Sequence, residues 1–303
     1  SLGKRQESFN YYSKALKLYD MLDDINGQSA IYNNLCDYYT GQGDYASAIT
    51  YLQKSLEIDM KTGNILGQAI VIYNFGDTYL QLGDIPRADE NYHKSLNLYD
   101  QVNNITGIGY CTWGLGLICV EREQYKKAEG YFNKALTILN EVGSKMWQIG
   151  VMLSIAELYC IQKNYEKSWN LCENILTIAQ QIKDYDAINS TKLNQVNVRI
   201  AQAQQDKKLA ITYLQEAKKI LNDLLEAVNQ PGTSKETVFE VYSNLCRVSY
   251  FLGEPEKTME YGKTAKANRD WILKFIEDKD AQDRFLKRRP FHIFEEFCEQ
   301  TKL

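Results

Sequence analysis

Tyr32-Asn33-Asn34-Leu35-Cys36-Asp37-Tyr38-Tyr39, followed by Gly43-Asp44-Tyr45-Ala46-Ser47-Ala48 and Tyr51-Leu52-Gln53-Lys54-Ser55-Leu56, is the stretch whose reading decides the fold. Forty residues later the same order returns as Tyr73-Asn74-Phe75-Gly76-Asp77-Thr78-Tyr79, Gly83-Asp84-Ile85-Pro86-Arg87-Ala88 and Asn91-Tyr92-His93-Lys94-Ser95-Leu96. Self-similarity at a fixed period marks an array in which each unit buries its apolar face on the next. Within the unit, Leu35, Tyr39, Ala48, Leu52 and Leu56 recur at helical spacing, while Gly43-Asp44 stops one helix and caps the following one. The unit therefore reads as two antiparallel helices. Gly76, Ala48 and Ala88 are expected where two helix backbones approach closely and a larger side chain would force them apart.

Outward from these two units the period continues. The third keeps Leu115-Gly116, Tyr125, Ala128, Phe132 and Ala135-Leu136; the fourth, looser, keeps Ile155-Ala156, Tyr159, Tyr165, Ser168 and Ile175-Leu176. In the fifth, Ala210-Ile211-Thr212-Tyr213-Leu214 echoes Ala48 through Leu52 but is displaced by two residues, and the turn at Gln204-Gln205-Asp206 has no glycine. A longer connection, Asn229 through Ser234, precedes a sixth unit marked by Tyr242-Ser243-Asn244-Leu245-Cys246 and Gly253-Glu254-Pro255; its Pro231-Gly232 pair ends one helix and Ser234 is placed to cap the next. Pro86 and Pro255 both fall just after a turn, where the start of a helix tolerates proline. Before the first full unit, Ser8 through Leu16 matches a second helix without its partner, so residues 1–24 are expected to be a half-repeat, excised from a longer array, or a capping helix. Residues 25–276 form the array. Residues 277–303, with the amphipathic stretch Arg284-Phe285-Leu286-Lys287-Arg288-Arg289-Pro290, are expected to form C-terminal helices that cover the last apolar face.

The pattern resembles the tetratricopeptide repeat, in its longer form of forty residues rather than the usual ~34. Kinesin light chains, spindle-orientation scaffolds and many bacterial signalling proteins carry this longer form. The resemblance implies an all-α fold, a right-handed superhelical solenoid of about six antiparallel helix pairs whose first helices line a concave binding groove. The Asp-Arg-Phe-Leu tail with its basic run and proline is similar to the end of the repeat region in bacterial signal-transduction ATPases and cyclases.

Composition bounds the rest. Apolar residues make up 44% of the 303 and charged residues 24%, ordinary for a soluble protein, and the net charge of −4 lacks the basic footprint expected of a nucleic-acid or acidic-membrane binder. The longest apolar run, Leu115 through Val120, is far short of the ~20 residues a membrane-spanning helix needs, and residues 1–24 show no basic-then-apolar signal segment. Cytoplasmic residence is the expectation. Seven cysteines, an odd number with no Cys-x-x-Cys pair, read as small core residues.

Counting from the Leu-Gly landmark places Asn34, Asp37, Tyr73, Asn74, Asp77, Tyr110, Trp113, Glu157, Arg199, Asn244 and Arg247 on the expected groove wall, together with Asn33, Glu121 and Lys192. The asparagine just before the landmark offers both a donor and an acceptor to an extended peptide backbone. In peptide-binding arrays that this chain resembles, asparagines here form a ladder. Asn34, Asn74 and Asn244 occupy the position, and Gly114, Ser154 and Val196 interrupt it; amides satisfied by neighbouring helices would give the same pattern. Tyr73, Tyr110 and Trp113 read either as an aromatic anchor pocket or as core. Charge along the wall changes sign, with Asp37, Asp77, Glu121 and Glu157 early and Lys192, Arg199 and Arg247 late, which suits a partner of opposite polarity as well as it suits solvated faces.

Other motifs carry no chemistry. Gly107-x-Gly109 and Gly114-x-Gly116 follow no strand, His93 and His292 have no metal-ligand spacing, no serine or cysteine is marked by an oxyanion loop, and Lys287-Arg288-Arg289 reads as exposed charge. The expectation is a non-catalytic module with no cofactor or metal, binding a protein or extended peptide and no nucleic acid or membrane, as a sensor or scaffold segment of a larger bacterial signalling protein. The alternative is a stand-alone regulator that binds a short signalling peptide, as in Rap-type receptors, whose N-terminal three-helix bundle has no counterpart here. An enzyme with its active site in the groove is the third reading. Neither the partner nor the oligomeric state is legible.

Overall fold

The computed structural model describes the backbone of residues 3–230 and 233–303, with side chains from Glu7 onward. Among the described residues there are fifteen α-helices and no strands. They are α1 (Gly3–Met21), α2 (Ile25–Gly41), α3 (Tyr45–Thr62), α4 (Ile65–Gln81), α5 (Ile85–Gln101), α6 (Ile105–Glu121), α7 (Tyr125–Glu141), α8 (Lys145–Ile161), α9 (Tyr165–Ile182), α10 (Tyr185–Gln205), α11 (Ala210–Val228), α12 (Lys235–Phe251), α13 (Pro255–Leu273), α14 (Lys279–Leu286) and α15 (Arg289–Thr301).

The helices are cut to length by their linkers. At Asp23, Gly43, Gly63, Gly83, Asn103, Glu123, Gly143, Lys163 and Lys183, one residue in every twenty, the backbone turns left-handed with φ between 51° and 77°. That conformation ends one helix and reverses the chain, and it favours glycine because side chains with a Cβ resist it. At six of these turns the next residue caps the following helix, whereas Ser144 and Asn164 stand at the N-cap of α8 and α9 without a side-chain bond. Asp24, Asn64, Asn104 and Asp184 accept from the amides of Gly27, Gly67, Gly107 and Ala187 at 2.7–3.0 Å, and Asp44 and Asp84 do the same for Ser47 and Arg87 at 3.0 and 3.2 Å. Each cap satisfies one otherwise orphaned amide and contributes about 1 kcal/mol. Ser234 stands at the cap of α12 but makes no such bond, and Pro231 and Gly232 lie outside the described residues.

Chain contacts divide the protein into two units, one holding the repeats up to residue 138 with residues 270–291, the other holding residues 139–269 and 292–303. In the first unit Ala48, Leu52, Ala88, Tyr92 and Phe132 are fully buried. The small residues work differently from expectation. A Cβ at Gly76 would lie 2.8 Å from the Tyr92 ring, and one at Gly114 would lie 2.7 Å from the same ring, so these two glycines seat an aromatic side chain between consecutive repeats rather than letting backbones touch. Gly116 seats Phe132 in the same way, at 2.5 Å. In the second unit Leu193, Val196, Leu214, Ala217, Leu221, Val241 and Leu245 build the core shared by α10, α11 and α12.

The fifth repeat corrects the sequence reading. Asp184 caps α10 forty residues after Ser144 at the N-cap position of α8, so α10 begins in register, and the extra residues lengthen its C-terminal end. Only the second helix of that repeat is displaced by two.

The tail has two destinations. In the second unit α15 lies against the last repeat, with Phe294 edge-on to Phe239 at 5.5 Å between ring centroids and Phe297 edge-on to Tyr250 at 5.3 Å. In the first unit residues 271–285 lie on the turns of the first two full repeats. Trp271 Nε1 donates to the Gln42 carbonyl at 3.2 Å, fully buried Ile272 fills the space over Gly43, and the Phe285 ring packs 6.0 Å from that of Tyr45.

All seven cysteines are free and buried. Burial pushes the thiols of Cys36, Cys111, Cys172 and Cys246 up to about 12, so they are inert apolar fillers at neutral pH.

Two glycines of similar helical context should respond in opposite senses to substitution. Gly76→Leu drives a side chain into the Tyr92 ring and should lower stability by about 1–3 kcal/mol. Gly130→Ala, with nothing within 4 Å of the added Cβ, should raise it by up to about 1 kcal/mol through helix propensity. Denaturant melts of both variants check the pair, and equal effects would mean the register of the repeats is wrong.

Candidate functional site

The first helices of the full repeats in the first unit, α2, α4 and α6, pack side by side in order, α2 on α4 and α4 on α6. Asn33 of α2 meets Asn74 of α4, and Tyr73 of α4 meets Tyr110 of α6. Asn74 donates from Nδ2 to Asn33 Oδ1 at 2.8 Å, an amide pair that bridges the two helices. Asn34 is half-buried beside it and Asp37 is exposed. The amide pair leaves each residue with remaining donor or acceptor capacity, since a primary amide has two of each.

Asp77 is the electrostatic centre of this wall. Its Oδ1 accepts from the Tyr92 hydroxyl at 2.6 Å, and the Tyr73 hydroxyl is a second donor. Burial among aromatic rings raises its pKa from the ordinary 3.8 to about 7; the two tyrosine hydrogen bonds oppose that rise and the negative charge of Asp37 adds to it. The same surroundings push the hydroxyls of Tyr73 and Tyr92 well above their usual range, burial first and the Asp77 charge second. Tyr73 belongs to the core with Ala69, Ala88, Tyr92, Tyr99, Cys111, Leu115 and Ile118, so the anchor-pocket reading fails for it. Its ring still contacts that of Tyr110, partly buried, at 6.0 Å between centroids. Trp113 is half-buried on the same helix.

In the second unit the predicted residues do not assemble. Glu157 is exposed on α8. The Arg199 guanidinium stacks 3.8 Å from the centre of the Trp169 ring and forms an ion pair with Glu216 at 2.6 Å, so it joins α9, α10 and α11 instead of facing a groove. Because α10 keeps its register, the asparagine position of the fifth repeat is Asn194, not the fully buried Val196, and Asn194 Nδ2 reaches the Leu153 carbonyl of α8 at 3.5 Å. The signal for this was the cap at Asp184, which pins the start of the helix independently of the displaced turn. Asn244, only 3% exposed, accepts from Arg247 Nη1 at 3.0 Å and cannot serve as a rung. The other residues that the sequence reading passed over are Asn33, placed on the wall but not given a role, and Tyr92, which no motif distinguished from core aromatics.

Among the described residues no group of His, Cys, Asp and Glu could hold a metal ion, and no helix is long and apolar enough to cross a membrane. A surface depression of about 480 Å³ in the second unit is lined by Ile211, Lys218, Lys219, Phe251 and Glu254, with Lys218 and Glu254 paired at its edge.

The raised Asp77 has a consequence for stability. Its folded pKa lies above its unfolded value, so its contribution is most favourable below pH 4 and is lost as pH rises towards 7, where the native state must ionise a partly buried carboxyl. Asp77→Asn keeps an acceptor for Tyr92 without the charge. The variant should melt above the wild type at pH 8, with the gap narrowing as pH falls through 7 and smallest below pH 4; a gap independent of pH would remove the assignment.

A family model described as "Tetratricopeptide repeat" matches residues 1–61 and 67–141. No curated protein matches the sequence. Among solved structures, the chain is similar to a Rap protein complexed with competence and sporulation factor, at 14% identity and a TM-score of 0.65 over 90% of this chain and 72% of that one. It is similar to NprR in complex with its cognate peptide NprX, at 18% identity and a TM-score of 0.59 over 98% and 83%. It is also similar to a signal transduction ATPase with numerous domains from Pyrococcus horikoshii that carries a tetratricopeptide repeat sensor, at 18% identity and a TM-score of 0.53 over 94% of this chain and 43% of that one. Identities this low speak to fold alone. Residues 1–61 and 67–141 are thus tetratricopeptide repeats, and helix pairs of the same form continue beyond them.

Proposed function

We propose that the chain is a non-catalytic recognition module that holds an extended peptide, or an extended segment of a partner protein, against the wall formed by α2, α4 and α6. The observation that carries this reading is the juxtaposition of Asn33, Asn34 and Asn74 with Asp37 and Asp77. It offers amide donors and acceptors for a peptide backbone next to the exposed Asp37 carboxylate for a basic side chain, with Asp77 buried behind it. With Arg199 held by Glu216 and Asn244 buried, the recognition surface is shorter than the sequence suggested, and it is acidic.

Two settings for such a module have support. The likeness to an ATPase that carries a repeat sensor supports a sensor or scaffold segment of a larger signalling protein. The likeness to the NprR structure, solved with its cognate peptide, and to the Rap structure, solved with competence and sporulation factor, supports a regulator that responds to a short peptide. Compaction in small-angle scattering on adding a bound peptide would favour the regulator.

The experiment is selection of ligands from a random peptide array against the purified chain, followed by titration of the best binder. Asn34→Ala with Asn74→Ala should raise its dissociation constant about tenfold or more, since each lost backbone hydrogen bond is worth about 0.5–1.5 kcal/mol. Binders lacking lysine and arginine near one end should be rare. An unchanged dissociation constant in the double variant, with helicity intact, would remove this wall as the binding surface.

A further inference from the structure

The two edges of the first unit are treated differently. At the edge formed by the turns inside each repeat, apolar residues are covered: Tyr45, the first residue of α3, is 1% exposed because Phe285 of α14 packs on it. Arg284, the neighbour of that phenylalanine, brings its guanidinium to 4.0 Å from Asp84, the residue that caps α5. At the opposite edge, formed by the turns between repeats, the same grammar of cap residue then apolar residue occurs at Asp24-Ile25, Asn64-Ile65 and Asn104-Ile105. Here it is bare. Ile25, Ile65 and Ile105 are 47%, 39% and 49% exposed, with Leu22 and Leu66 exposed beside them.

Their recurrence every forty residues places one apolar side chain at the start of each of three adjacent helices, and neighbouring helix axes lie about 8–10 Å apart. An α-helix presents a residue on one face every seven positions, about 10.5 Å. The two spacings agree. The exposed charges along this edge are Asp20, Asp23, Asp24 and Asp100 against a single Lys61, which Glu57 already holds at 2.6 Å.

We propose that this edge is a second interaction surface, distinct from the α2–α4–α6 wall, and that its occupant is an amphipathic helix of a partner protein with apolar residues at seven-residue spacing and flanking arginine or lysine. The contact made by α14 with the opposite edge is the internal template: an apolar side chain set on the first residue of a repeat helix, and an adjacent arginine directed at a capping carboxylate. Acidic rims repel an anionic lipid surface, which argues for a protein partner.

The test uses the full chain and a fluorescein-labelled 21-residue helical peptide with leucine at seven-residue spacing flanked by arginine, alongside the same peptide with glutamate for arginine. Anisotropy should show saturable binding of the first peptide only. Ile25→Ser, Ile65→Ser and Ile105→Ser together should weaken it at least tenfold, with helicity and melting retained, whereas the Asn34 and Asn74 variant should bind it as wild type does. Absence of saturable binding, equal binding of both peptides, or binding indifferent to the triple variant would overturn the proposal. So would sedimentation of the wild type, but not of the triple variant, with phosphatidylserine vesicles, which would assign the edge to membranes, or a wild-type dimer that the triple variant dissolves.

Discussion

A helix with one apolar stripe cannot bury it alone, and in this chain the solution rests on keeping every hairpin the same length. One left-handed residue in every twenty, in six of nine cases followed by a capping Asp or Asn, resets the helix phase from Asp23 to Lys183. Each helix therefore presents the same face to its neighbours. Tyr92, seated on Gly76 from its own repeat and on Gly114 from the next, is where that regularity becomes a packed joint. Full burial of an aromatic side chain of that size is worth roughly 1.5–3 kcal/mol, and a single Cβ at either glycine would obstruct it.

The same joint shapes the chemistry of the wall. Tyr92 is core on its ring and polar at its tip, and the tip holds Asp77. A carboxyl in such a place is kept partly protonated near neutrality, close to a second acid, Asp37, that remains exposed. Packing and recognition are thus coupled through one side chain: whatever cation or backbone amide approaches Asp77 acts on a group that also ties α4 to α5.

The tail adds a constraint that repeat grammar does not contain. Trp271, Ile272 and Phe285 lie on turns more than two hundred residues earlier, with 229 residues separating Trp271 from its acceptor Gln42. Gly43 and Gly83 consequently have two reasons to be glycine, a positive φ and no room for a Cβ beside Ile272 and the Arg284 carbonyl, whereas Gly63, Gly143 and Gly253 have only the first.

The paired-helix unit, its period of forty and the phase of nearly every repeat were legible from residues alone, because caps, turns and apolar spacing act within about four positions along the chain. The fifth repeat was misread where its turn was allowed to outweigh its cap, and Arg199 with it. The amide pair of Asn33 and Asn74, the burial of Asn244, the role of Tyr92 and the destination of the tail were decided by the tertiary structure. Each depends on which side chain a neighbouring helix, or a segment two hundred residues away, happens to place opposite it, and no local rule of spacing carries that information.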